Sequence, residues 1–222
     1  MHFSNEFIDF FKGLAANNSK DYFDQNRKTY ENYVKKPWYE FVTQVVERLS
    51  VHDKKIKGLA PKDIVFRINR DIRFSKDKTP YKLHLSGVFS GGGRKNMRIP
   101  GMYLQLGIGE AWMGGGMYAP EKADVQAIRE AILRNPKKIS NLMEAPDFAS
   151  TYGEIKGAKN KIIPSEFKEA AKNQALLFNK QWYFIKEFNN GEELILRPDL
   201  LDVIETHYLA GKPWNDFLES TL

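Results

Sequence analysis

From Asp63 to Phe74 the side chains alternate in character. Ile64, Phe66, Ile68, Ile72 and Phe74 share one parity, and Arg67, Asn69, Asp71 and Arg73 share the other. A period of two belongs to an extended chain with one buried and one solvated face, because successive side chains of a strand point to opposite sides. The pattern therefore predicts a β-strand with an array of donors and one carboxylate along its polar face. Arg70 falls on the apolar parity, which predicts either a bulge that re-aims it or a buried partner. Ser75–Thr79 reads as a turn, Pro80 holds Thr79 extended, and a second strand starts near Tyr81 and runs on through Leu83–Phe89.

Charge is concentrated in the same place. Residues 54–98 hold 13 Lys/Arg against three Asp, whereas the rest of the chain holds 21 bases against 25 acids. The whole formal charge of +6 thus comes from one window. An asymmetry of that kind points to an anionic partner, although a solvated, ion-paired basic face is the plainer reading of any charge run. Guanidinium forks suit bidentate capture of phosphate or carboxylate.

The flanking segments predict helices. Asn5 is placed to cap a first helix over Phe7, Ile8, Phe10, Phe11 and Leu14. Ser19 or Asp21 opens a second helix, and Pro37 a third with a stripe of Trp38, Phe41, Val42, Val45, Val46 and Leu49. After the basic window, Met102, Leu104, Leu106 and Ile108 alternate with Tyr103, Gln105 and Gly107, a half-buried strand. Trp112–Tyr118 continues as a strand that contains Gly114, Gly115 and Gly116. Glycine inside a strand marks either close packing or room for a ligand, and both readings stand at this level. A helix from Pro120 to Arg134, short helical pieces, a strand at Trp182–Phe188, a turn at Asn189–Gly191, a helix from Pro198 and a terminal turn holding Trp214 complete the chain. The expected class is α+β: a largely antiparallel sheet of about five strands packed with N-terminal and C-terminal helices, in a single domain, 1–222.

The run Phe66-Arg-Ile-Asn-Arg-Asp-Ile-Arg-Phe-Ser-Lys-Asp-Lys-Thr-Pro-Tyr-Lys82 resembles the signature of an uncharacterised family, domain of unknown function 2461. The likeness takes in Asn17-Asn-Ser-Lys-Asp-Tyr-Phe23 with Asn26 and Tyr30, Gly114–Tyr118 with Pro120, and Arg197-Pro-Asp-Leu-Leu201. It implies a single-domain, bacterial-type protein and carries over no activity, cofactor or catalytic residue.

Several chemistries are absent from the sequence. There is no cysteine, which removes disulfides, thiol catalysis and cysteine-ligated metals. His2, His52, His84 and His207 have no metal-ligand spacing, so no metal and no cofactor are expected. Gly91–Asn96 lacks the Gly-Lys-Ser/Thr ending of a P-loop, and neither a nucleophile elbow nor a dinucleotide fingerprint is present. No apolar run reaches the ~20 residues that span a bilayer. The N-terminus also lacks a basic leader pattern, so the expectation is a cytoplasmic protein without a membrane partner.

The residues point first to a basic pocket for a small anionic ligand, phosphorylated or polycarboxylate. Its expected members are Arg67, Asn69, Arg70, Asp71, Arg73, Lys76, Lys78, Tyr81 and Lys82. No residue is assigned as catalytic, although Asp71 and Tyr81 are groups there that can move a proton. Single-stranded nucleic-acid binding is the alternative. It requires exposed rings at Phe66, Phe74, Tyr81 and Tyr103, and the apolar parity of Phe66 and Phe74 argues against it. A third reading is a structural or interaction domain whose ion pairs only hold a sheet.

Overall fold

The structure is a computed structural model and describes residues 2–222. Its fold is α+β. Four strands lie in the sheet in sequence order: β1 (His84–Phe89), β2 (Met102–Gly107), β3 (Ala111–Met117) and β4 (Trp182–Phe188). The sheet is antiparallel, as the short links from β1 to β3 require.

The sequence leads one to expect about five strands, and the one that does not form is Asp63–Phe74. Pro61–Ile64 closes a short helical turn instead. Beyond it, Val65 pairs with Gly87 and Asn69 with Tyr81 as isolated antiparallel bridges. Between those bridges one arm advances four residues and the other six, so the register slips and a regular ladder cannot grow. Past Arg70 the carboxylates divert the backbone. Asp71 accepts from the Arg73 amide at 3.3 Å, and Asp77 accepts from the Thr79 amide at 2.9 Å. Such local bonds compete directly with strand pairing.

The chain divides into two compact units. The first comprises the described chain up to Phe89, with Tyr103–Met113 and Glu187–Glu205. Its helix Asn5–Ala16 buries Phe7, Ile8, Phe10, Phe11 and Leu14. Asn5 is the first helical residue, and Ser4 holds the capping position. The Ser19 hydroxyl accepts from the Tyr22 amide at 3.2 Å and starts Lys20–Gln25. Pro37 stands at the start of the helix Lys36–Leu49, one residue after its first, and directly after a π-helical stretch, Tyr30–Lys35. A wider turn just ahead of proline relieves the clash of its ring with the preceding carbonyls. Phe3, Phe7, Phe11, Trp38 and Phe41 are buried together with Leu104 and Leu106 in this unit. Deleting any one of these large rings would cost about 3–5 kcal/mol. Asn189–Gly191, expected as a turn, leads into the helix Gly191–Ile195: Asn190 Oδ1 accepts from the Glu193 amide at 3.3 Å.

The second unit comprises Ser90–Met102, Gly114–Lys186 and Thr206–Leu222. Its core gathers Met117, Ile128, Ile132, Phe148, Phe167, Trp182, Phe184, Trp214 and Phe217. Glu121 and Asp124 form a reciprocal cap on the helix Lys122–Arg134. Here the three strand glycines find their explanation. A Cβ on Gly114 would sit 2.3 Å from the Phe184 carbonyl oxygen, and one on Gly116 2.3 Å from that of Trp182. Close approach of β4, not room for a ligand, excludes side chains there. Trp214 does not lie in a separate terminal turn. It belongs to the helix Leu200–Glu219, which continues through Pro213.

Candidate functional site

The expected site residues all lie in the first unit, but they fall into a loop and its base. In the loop, charges pair with one another. Arg70, only 25% exposed in its side chain, donates from Nη1 to Asp77 and to the Thr79 hydroxyl, and from Nη2 to Ser75 Oγ at 3.5 Å. The residue that broke the parity thus has an acidic partner, although Arg70 is only half-buried and Asp77 is exposed. Arg73 donates to Asp71 from Nε at 3.0 Å and from Nη2 at 2.7 Å. These bonds hold the Asp71 carboxyl down at about 2, and the Thr79 amide and Arg70 do the same for Asp77. Lys78 Nζ donates to the Ile72 carbonyl at 2.9 Å. Lys76 is exposed, with no acidic partner among the described residues.

At the base of the loop, Tyr81 is used for packing. The residue is 7% exposed, and its ring stacks on Phe23, centroids 4.2 Å apart and planes 13° from parallel. Its backbone is clamped by one side chain: Asn18 Nδ2 donates to the Tyr81 carbonyl at 2.9 Å, and Asn18 Oδ1 accepts from the Tyr81 amide at 3.1 Å. That clamp fixes where the next residue, Lys82, points. Asp71, engaged with Arg73, and Tyr81, engaged with Phe23, are thus poorly placed to move protons for a ligand.

Lys82 is half-buried with its ammonium 5.6 Å from the centre of the Phe66 ring. Burial lowers its pKa, and the nearby Arg67 guanidinium lowers it further. Among the described residues neither Arg67 nor Lys82 has a carboxylate in ion-pair contact. Arg67 is exposed, and so is Asn69 beside it.

A polar group beyond the signature extends this base. His84 is pushed down to about 4, first by burial and then by Lys82, so its imidazole is neutral at pH 7. Ser86 and Gln105 are buried, at 3% and 2% exposure. Tyr103 donates to Gln105 Oε1 at 2.7 Å, and Gln105 Nε2 donates to Glu110 at 3.4 Å. Burial raises the Tyr103 phenol, while a hydrogen bond with the Ser86 hydroxyl partly offsets that rise. Sequence reasoning missed His84 and Ser86. The signal was present: Lys82, His84 and Ser86 continue one parity into β1, as Tyr103 and Gln105 do in β2.

A family model described as a conserved hypothetical protein family, DUF2461, matches residues 6–217. The chain belongs to this family. No curated protein and no solved structure matches it. Two stretches of this DUF2461 chain that lie far apart in sequence meet at Tyr81: Asn17–Phe23 supplies the clamp and the stacking ring, and Phe66–Lys82 supplies the clamped residue. Their joint effect is to hold the backbone beside Lys82. Among the described residues of this DUF2461 protein, no group of three or more His, Asp or Glu is disposed to hold a metal ion, and no helix is long and apolar enough to cross a membrane.

Proposed function

We propose that this protein binds a small anion, phosphorylated or polycarboxylate, at the base of the signature loop. Arg67 and Lys82 supply the charge, and His84 and Tyr103 supply neutral hydrogen-bonding groups. The observation that carries this reading is the pair Arg67 and Lys82. They are two neighbouring cations, one of them half-buried, and among the described residues neither has a carboxylate in ion-pair contact; Asp71, which acts on Arg67 from farther off, is itself taken up by Arg73. Two like charges held together in partly desolvated surroundings are unfavourable until an anion joins them. A ligand oxyanion between them would reverse the sign of their interaction. A neutral imidazole next to such an anion can accept a proton from it or donate a hydrogen bond to it. Any chemistry at this site would therefore run through His84 or Tyr103 more readily than through Asp71 or Tyr81.

The test is a thermal-shift screen of phosphorylated metabolites and polycarboxylates at two salt concentrations. A ligand at about 100 times its Kd stabilises the folded protein by roughly 2.7 kcal/mol. The shift should survive higher salt, because contacts in partly buried surroundings are screened less than exposed charges. It should be lost in Arg67→Ala and Lys82→Met and kept in Lys95→Ala. Equal losses in all three variants would reduce the effect to diffuse attraction and remove the site.

A further inference from the structure

Phe74 contradicts its own parity. The alternation from Ile64 predicts a buried ring, yet Phe74 is 95% exposed. It stands in a loop held by its own side chains, through Arg70 to Asp77 and Thr79, Arg73 to Asp71, and Lys78 to the Ile72 carbonyl. The ring is therefore presented by an organised loop. The Arg73 guanidinium lies 5.8 Å from its centroid and leaves the ring otherwise open to solvent. Residues 67–82 carry six bases and two acids. Both acids are paired inside the loop, so the charge turned outward is positive.

We propose that the loop Arg70–Thr79 is a contact for single-stranded nucleic acid, with one unstacked base lying on Phe74 and the adjoining phosphates meeting Arg67, Lys76 and Lys78. Base stacking on an aromatic ring combined with flanking cations is the sequence-tolerant way of holding a single strand. The Arg73 guanidinium lies over one face of the ring and leaves the other for a base. The other rings of the signature do not contribute: Tyr81 is stacked on Phe23, and Phe66 lies beneath Lys82. The contact is thus one base wide. A bilayer surface fits less well. Phe74 is the sole large exposed apolar side chain between Arg67 and Lys82, and inserting it would carry Arg73, with its bound Asp71, toward the hydrocarbon. A duplex fits less well too, because its bases are already stacked on one another. The proposal goes beyond the small-anion reading, since it turns on Phe74 and the loop lysines and shares only Arg67 with the base.

The experiment is fluorescence anisotropy of the intact protein with labelled oligothymidine and oligouridine of roughly 15 nucleotides, and with a duplex of the same length. Vesicles containing phosphatidylserine are sedimented in parallel. Phe74→Ala should weaken single-strand binding by about 5- to 150-fold, the range of one lost stack, and Phe74→Trp should restore it. Arg67→Ala should reduce the dependence of log K on log salt by about one phosphate's worth. Because Phe74 is almost wholly exposed, its removal takes nothing from the core, and the thermal midpoint of Phe74→Ala should match that of the wild type. Equal affinity of wild type and Phe74→Ala would overturn the proposal. So would a duplex bound as tightly as the single strand, or Phe74-dependent binding to vesicles without binding to oligonucleotides. Any of these leaves the small-anion reading to its own screen, which depends on Arg67 and Lys82 and not on Phe74.

Discussion

Asp124 and Lys82 are both charged groups drawn out of water, yet only Asp124 meets its opposite. The Asp124 side chain is 2% exposed, and Arg98 donates to it from Nε at 3.0 Å and from Nη2 at 2.6 Å. The same carboxylate accepts from the Glu121 amide and completes a helix cap. Every part of that arrangement supports the fold, and the carboxyl is held below its ordinary range by Arg98. Lys82 has the reverse surroundings: a ring beneath it, a second cation beside it, and burial that lowers its pKa. A charge paired within the chain belongs to the structure. A charge kept partly dry without a partner is free to meet something outside the chain.

The largest effect is expected at the paired end of this comparison. Arg98→Ala leaves the Asp124 carboxylate buried without its guanidinium and should lose about 3 kcal/mol in a urea titration. Asp124→Asn should be milder, because Arg98 is 46% exposed and can turn to water. Equal losses would mean that Asp124 does not behave as a buried charge.

The next effect is a pH dependence that belongs to the unpaired end. His84 has a folded pKa of about 4 against an ordinary value of 6.5. The unfolded chain therefore binds the proton more readily, and stability is lost as pH falls from about 6.5 to about 4, by up to about 3 kcal/mol. Above that window His84 contributes nothing. Asp71 and Asp77, with folded values of about 2, act in a lower one: the stability they supply is present above their ordinary 3.8 and is lost as pH falls toward 2. Urea midpoints of His84→Gln should decline less from pH 6.5 to 4.5 than those of the wild type, the remainder coming from His2, whose pKa burial also lowers. An unchanged decline would place the titrating group elsewhere. A bound anion should raise the His84 pKa, which a proton NMR titration would read.

Asn18→Ala should come third. It removes both bonds to the Tyr81 backbone, for a loss of about 2 kcal/mol, and it should speed hydrogen exchange at the Tyr81 amide. Full protection there would show that the Phe23 stack alone holds the segment. The smallest effect on stability is expected at Arg67. Arg67→Ala should stay within about 0.5 kcal/mol of the wild type while raising the Lys82 pKa toward its ordinary value. A large destabilisation would show that Arg67 is structural and would erase the contrast with Arg98.

The sequence by itself determined the α+β class, the first helix, the strands β2, β3 and β4, and the solvent exposure of Arg67, Asn69, Asp71 and Arg73. All of these follow from periodicity, which is local: a run of side chains declares its buried face wherever the chain goes. The pairing of Arg73 with Asp71 and the turn at Asp77 were within reach for the same reason, since their partners lie two residues away. Only the tertiary structure decided that Asp63–Phe74 is not a strand, because register depends on what Tyr81–Gly87 does opposite it. Only it decided that Tyr81 is packing, through Asn18, 63 residues away. Phe74 had the parity of a core residue and lies in solvent because Asp71 and Asp77 turned the backbone on either side of it. Parity assumes that the strand continues, and two local carboxylate bonds to backbone amides are enough to end it.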